Sequence, residues 1–111
     1  MEFDVKTEHS GATCTLALTG EVDVYTSPRL KQELIDLIEA GCVDIVVDLD
    51  ALSFIDSSGL GVLVSGLRRA KEHGGTLRLV CTNDSILKIF RITGLDKVFP
   101  LFPTIEEARG F

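Results

Sequence analysis

The chain has 111 residues, 45% of them hydrophobic and 25% charged, a length and balance that fit one folded domain, 1–111, with its own core. Its formal net charge of −6 disfavours binding to a nucleic-acid phosphate backbone, which calls for a basic face. No apolar run approaches the ~20 residues that span a bilayer, and the acidic start Met1-Glu2-Phe3-Asp4 lacks a secretory signal's basic and apolar segments, so a cytoplasmic protein without membrane insertion is expected.

Phe3 and Val5 alternate with Asp4 and Lys6, which predicts a short first strand, and Glu8-His9-Ser10-Gly11 supplies a turn into a hairpin. A second strand is predicted from about Thr13 to Thr19, with Cys14, Leu16 and Leu18 on one face and Thr13, Thr15 and Ala17 on a wetter one. In Thr26-Ser27-Pro28 a hydroxyl cap precedes a proline at the first helical position. The helix that starts there carries the stripe Leu30, Leu34, Leu37 and Ile38 and closes at Gly41.

Val43 to Leu49, with Ile45, Val46 and Val47 at its centre, has the β-branched content of a strand buried on both faces. From Ser58 onward, Leu60, Leu63, Val64, Leu67 and Ala70 recur at helical spacing as far as His73-Gly74-Gly75, and Thr76 to Cys81 forms the next strand. A strand, helix, strand unit implies a parallel pair. Asn83, Asp84 and Ser85 cap a short helix carrying Ile86, Ile89 and Phe90 that stops at Gly94, with Leu95 making a closing contact. Pro100 confines any strand over Val98 to Phe102 to a sheet edge or to very few residues, and Thr104-Ile105-Glu106-Glu107 has capping-box spacing for a last turn or two of helix. This order predicts an α/β domain with a mixed β-sheet of four to five strands and about four α-helices packed mainly on one face.

Cys14, Cys42 and Cys81 are odd in number and lack paired spacing, so they are read as reduced, mostly buried thiols rather than as a disulfide framework or zinc site.

The chain turns on Phe54-Ile55-Asp56-Ser57-Ser58-Gly59-Leu60-Gly61, where a central strand gives way to a helix. Asp56, Ser57 and Ser58 all suit the N-cap, and redundancy of caps is the plain explanation. The functional alternative is that a serine hydroxyl at this helix end accepts a phosphoryl group and gains roughly −1.5 to −2 charges. Asp23 and Asp56 would converge on the same corner if their strands are neighbours, adding like charge.

Other chemistries fit poorly. Gly59-Leu60-Gly61 matches the start of a dinucleotide fingerprint, but Val64 occupies the third glycine position, and no P-loop is present. Gly59 and Gly61 are read instead as letting the helix approach its neighbours. A serine hydrolase needs a base near its nucleophile, and the only histidines, His9 and His73, fall in predicted turns.

Leu18-Thr19-Gly20-Glu21-Val22-Asp23, the Phe54 to Gly61 stretch, and Ile92-Thr93-Gly94-Leu95-Asp96-Lys97-Val98-Phe99 with Glu106-Glu107-Ala108 together resemble the anti-sigma factor antagonists, stand-alone members of the STAS domain family, over essentially the whole chain. Glu21, Asp23 and the loop Val24-Tyr25-Thr26-Ser27-Pro28 are similar to actinobacterial members. The resemblance implies a bacterial regulator of transcription that is itself no enzyme. Its unphosphorylated form would bind an anti-sigma factor that is also a serine kinase, freeing a sigma factor. Phosphorylation of Ser57, with Ser58 as alternative acceptor, would release the kinase, and a serine phosphatase would restore the active form. Asp23, Asp56, Ser57, Ser58, Gly59, Leu60 and Gly61 would form the partner-binding site. ATP and magnesium would belong to the kinase, leaving this chain without a cofactor. Two other readings are a STAS adaptor subunit of a transporter-associated or stressosome-like complex, and a nucleotide-binding protein or enzyme using the same corner.

Overall fold

In the computed structural model, which describes residues 2–110, the elements are β1 (Phe3–Ser10), β2 (Thr13–Val22), α1 (Ser27–Glu39), β3 (Asp44–Ile55), α2 (Ser57–Glu72), β4 (Thr76–Val80), α3 (Asp84–Thr93), a 3₁₀ turn (Leu95–Lys97), β5 (Leu101–Phe102) and α4 (Ile105–Arg109). The strands form one mixed sheet in the order β1-β2-β3-β4-β5. β1 and β2 pair as an antiparallel hairpin, and every other neighbouring pair is parallel.

Alternation builds the core. Cys14, Leu16 and Leu18 of β2, Ile45, Val47 and Leu49 of β3, and Leu77 and Leu79 of β4 are fully buried in one cluster with the stripes of α1, α2 and α3. The opposite face is covered more thinly, where Val46, Val80 and Ala108 pack with Phe102 and Ile105 beneath α4. This is why Thr15, on the wetter face of β2, is nonetheless buried; Arg109 of α4 donates to its hydroxyl at 3.3 Å. The edge strand after Pro100 has only two residues, and the Thr104 hydroxyl caps α4 by accepting from the Glu107 amide at 3.1 Å.

Three boundaries differ from the sequence reading. Glu8, His9 and Ser10 belong to β1 rather than to the turn, because they continue the ladder opposite Thr15, Cys14 and Thr13. β2 runs on through Gly20 to Val22. β3 extends six residues past Leu49, to Ile55. Its second half does not alternate, because β3 carries one residue more than β2 at each of two register shifts, between the Ala17 and Thr19 pairings and between the Gly20 and Glu21 pairings. Burial there falls on Leu49, Leu52 and Ile55, which no period of two describes.

The thiol expectation is also corrected. Cys14 and Cys42 are joined as a disulfide, with Cα atoms 6.3 Å apart, and only Cys81 is a free, buried thiol. The spacing of 28 residues carries no signal by itself; the fold brings the connection after α1 against the start of β2. Closing a loop of that size restricts the unfolded chain by about 3–4 kcal/mol in the chain-entropy picture. Burial pushes the Cys81 thiol above its ordinary range, which keeps it protonated and unreactive.

Candidate functional site

β2 and β3 end side by side, with Val22 opposite Ile55 and the Asp56 amide donating to the Val22 carbonyl at 3.1 Å. The residues that follow each strand, Asp23 and Asp56, therefore emerge at the same edge of the sheet, and α2 starts from it.

Asp56 is the N-cap of α2. Its Oδ1 accepts from the Ser58 amide at 2.9 Å, the Gly59 amide at 3.2 Å and the Ser58 hydroxyl at 2.5 Å. The Ser58 hydroxyl, reinforced by the two amides and opposed by partial desolvation, holds the Asp56 carboxyl below the usual carboxylate range. A depressed pKa means the folded state favours the carboxylate. That stabilisation is full above the unfolded pKa of about 4 and is lost as pH falls through the lower folded value. Asp56→Ala is expected to lower stability by about 1 kcal/mol at neutral pH. Urea denaturation of both proteins should show the difference shrinking in acid; a difference independent of pH would remove the carboxylate from this role.

The two serines are held differently. Ser58 is partly buried and its hydroxyl is committed to Asp56. Ser57 is exposed, and among the described residues its hydroxyl has no hydrogen-bond partner. Gly59 and Leu60 are buried, whereas Gly61 is exposed. A Cβ on Gly59 would lie 2.6 Å from Val22 Cγ1 and 2.7 Å from Ile55 Cγ1, so this glycine lets the first turn of α2 rest on the two strand ends. Nothing lies within 4 Å of a Cβ on Gly61, which corrects the expectation that both glycines serve close approach. The other close approach along α2 is at Gly66, where a Cβ would lie 2.9 Å from Leu34 Cδ1 of α1.

Asp23 shapes its own loop. Its Oδ1 accepts from the Tyr25 amide at 2.9 Å, the Thr26 amide at 3.0 Å and the Thr26 hydroxyl at 3.2 Å, while Oδ2 is buried without a hydrogen-bond partner. Thr26 holds the N-cap position of α1 as its sequence suggests, but makes no side-chain capping bond; its hydroxyl reaches back to the Glu21 carbonyl at 2.8 Å. Folded in this way, the loop leaves Val24 62% and Tyr25 87% exposed at the serine end of the sheet, where Phe54, near the end of β3, is also 42% exposed. The sequence reading did not name these apolar residues as contacts. Their signal was an apolar pair in a loop between polar turn residues, and only the fold shows that nothing covers it.

Neither histidine reaches this corner. His73 closes the far end of the 16-residue α2, its Nδ1 2.8 Å from the Arg69 carbonyl oxygen, and His9 faces Cys14 near the start of β2. The corner thus pairs a free hydroxyl with a capping carboxylate and an apolar rim, and has no base of the kind serine hydrolysis requires. No helix of the described residues is long and apolar enough to cross a membrane.

The STAS domain family model matches residues 4–108. An anti-sigma-B factor antagonist of Bacillus subtilis (strain 168) is 33% identical over 101 residues, covering 91% of this chain and 92% of that protein. The crystal structure of an anti-sigma factor antagonist from Mycobacterium paratuberculosis superimposes with a TM-score of 0.89 at 28% identity, covering 98% of this chain and 92% of the other. The Bacillus cell fate determinant SpoIIAA in its phosphorylated form gives a TM-score of 0.75 at 26% identity, covering 96% and 97%. Matched by the family model over residues 4–108 and by a relative 33% identical across nine-tenths of both chains, this chain belongs to the STAS domain family, among the anti-sigma factor antagonists.

Proposed function

We propose that this antagonist works by partner switching controlled at Ser57: the unmodified protein binds an anti-sigma factor that is also a serine kinase, and phosphorylation of Ser57 ends the binding. The observation that carries this reading is the contrast between the two serines. The Ser57 hydroxyl is exposed and free at the start of α2, whereas the Ser58 hydroxyl would have to break its bond to Asp56 before accepting a phosphoryl group. SpoIIAA, a relative by fold at 26% identity, is described in a phosphorylated form, which supports phosphorylation in this family without fixing the residue here.

In this reading the chain is substrate and ligand rather than catalyst. ATP and magnesium enter on the kinase, and a serine phosphatase resets the switch. Asp56 holds the helix start rigid, so that the Ser57 hydroxyl stands at a fixed place on the surface. Gly59 and Leu60 support that surface from below, while Ser57, Gly61 and the rim of Val24, Tyr25 and Phe54 face the partner.

The test is to incubate the protein and its Ser57→Ala variant with native extract of the source cells, ATP and magnesium, and to recover both for intact mass and peptide mapping. One phosphoryl addition on Ser57, absent from the variant, is expected. Addition on Ser58 would move the switch by one residue and contradict the role given to the free hydroxyl. No addition, beside an active kinase control, would favour a constitutive adaptor.

A further inference from the structure

The end of the sheet away from Ser57 holds a cluster that the switch does not use. His9 and Cys14 are cross-strand partners in the β1–β2 hairpin, and Cys42 lies in the connection from α1 to β3. His9 Nδ1 is 3.2 Å from Cys14 Sγ, and one ligand atom from each of His9, Cys14 and Cys42 lies within 4.8 Å of the other two. Three separate segments deliver these atoms, which is why spacing along the chain gave no hint of the group.

A disulfide sulfur has no proton to donate and little negative charge to offer, so an imidazole beside it gains little. Beside a thiolate, or sharing a cation with one, the same imidazole is a strong partner. Two thiolates and one imidazole are the donor set of a thiophilic divalent ion. A tetrahedral ion with Zn–S near 2.3 Å and Zn–N near 2.0–2.1 Å sets its donor atoms roughly 3.5–3.8 Å apart, which the present sulfur–nitrogen distance nearly matches.

The sulfurs must separate to reach that spacing, and their surroundings allow it. Cys14 is fixed in the core, but Cys42 is half-buried in a connection that follows Gly41, whose φ is +94°. Beside it an open groove of about 200 Å³, bordered by His9, Gly11, Ala12, Gly41 and Cys42, admits solvent and provides room for a water ligand. Cys81 takes no part, being buried beside Phe102 and Asn83 at the other end of the sheet.

We propose that, once the Cys14–Cys42 disulfide is reduced, Cys14 Sγ, Cys42 Sγ and His9 Nδ1 bind one Zn²⁺-like cation, with water in the fourth position. Reduction adds two electrons and two protons to the sulfur–sulfur bond and yields two thiols; metal binding then releases one proton from each. The disulfide and the metal use the same two sulfurs and exclude each other.

The experiment is to reduce the protein with excess dithiothreitol, desalt it without oxygen and titrate it with Co²⁺, then with Zn²⁺. One equivalent of Co²⁺ is expected to produce thiolate-to-cobalt charge transfer and the visible bands of a tetrahedral site, and Zn²⁺ should bleach both. Cys42→Ser should abolish these bands, and His9→Ala, at an exposed position, should weaken binding by more than the roughly 10–100-fold that loss of a group merely supporting a ligand costs. Cys81→Ser should leave binding intact, as should the untreated disulfide form leave Co²⁺ unbound. Failure of the reduced, folded protein to take up Co²⁺, or retention of the bands in Cys42→Ser, would overturn the proposal.

Discussion

Protein carrying a phosphoryl group on Ser57 is expected to bind its anti-sigma partner about 10²- to 10³-fold more weakly than the unmodified protein, the equivalent of roughly 3–4 kcal/mol. The size follows from what already occupies the start of α2. A phosphate at a helix N-terminus is ordinarily held by the free amides of the first turn. Here the Ser58 and Gly59 amides are bonded to Asp56 Oδ1, so they are not free to neutralise the new charge. Roughly −1.5 to −2 charges then face outward beside the Asp56 carboxylate, and the partner must bury or repel them.

Isothermal titration of the purified partner against the two forms would measure this directly. Ser57→Ala should bind like the unmodified protein but resist switching, since it loses a hydroxyl that makes no internal bond. Ser57→Asp, with a single charge, should fall between the two. Because the rim is exposed, part of the effect should weaken as salt is added. Equal affinity of phosphorylated and unmodified protein would sink the switch, whatever residue the kinase modifies. If the phosphorylated form loses its circular dichroism signal as well as its binding, the effect lies in the fold of α2 rather than in the interface.

Much of this corner is legible without coordinates, and the reasons are local. A run of β-branched residues, three short oxygen-bearing side chains and a stripe at helical spacing announce strand, cap and helix in order, because each depends on neighbours a few residues away. The family resemblance then pointed to Ser57. What the sequence hid depends in part on neighbours far along the chain and in part on backbone conformation that residue types alone leave open. That Asp56 rather than either serine is the cap follows from the backbone at Asp56, which is extended while Ser57 is already helical. The pairing of Cys14 with Cys42 requires the parallel register of β2 and β3. The end of β3 is hidden because its two extra residues disrupt alternation where a strand is usually recognised. The exposed Val24 and Tyr25 read as ordinary apolar residues until the Asp23 turn lifts them clear of the sheet.

The two glycines at the start of α2 should respond to alanine with opposite signs. Gly59→Ala places a methyl group 2.6 Å from Val22 Cγ1 and 2.7 Å from Ile55 Cγ1, distances that no real side-chain carbon tolerates. Both neighbours are buried, Val22 at 0% and Ile55 at 2% exposure, and each sits at the end of a strand whose position defines the site. Relief therefore requires α2 to lift from the sheet or both side chains to leave their rotamers, at a cost of about 1–3 kcal/mol. The gain in helix propensity, at most about 1 kcal/mol, cancels that cost only at its lower limit, so the net change is a loss of up to about 2 kcal/mol. For a domain of this size that net loss corresponds to a fall in Tm of roughly 4–8 °C for each kcal/mol. Gly61→Ala has the same propensity gain and meets no atom within 4 Å, so it should be neutral or stabilising by up to about 1 kcal/mol. Thermal unfolding of the two variants beside the parent protein would decide the matter. Equal destabilisation by both would mean that helix propensity and packing at this junction have been misjudged, and a harmless Gly59→Ala would mean that α2 does not rest on the ends of β2 and β3. The expected contrast has a functional counterpart. A lifted α2 moves Ser57 relative to Tyr25 and Phe54, so Gly59→Ala should also weaken partner binding, while Gly61→Ala changes it only to the extent that the exposed methyl group meets the partner.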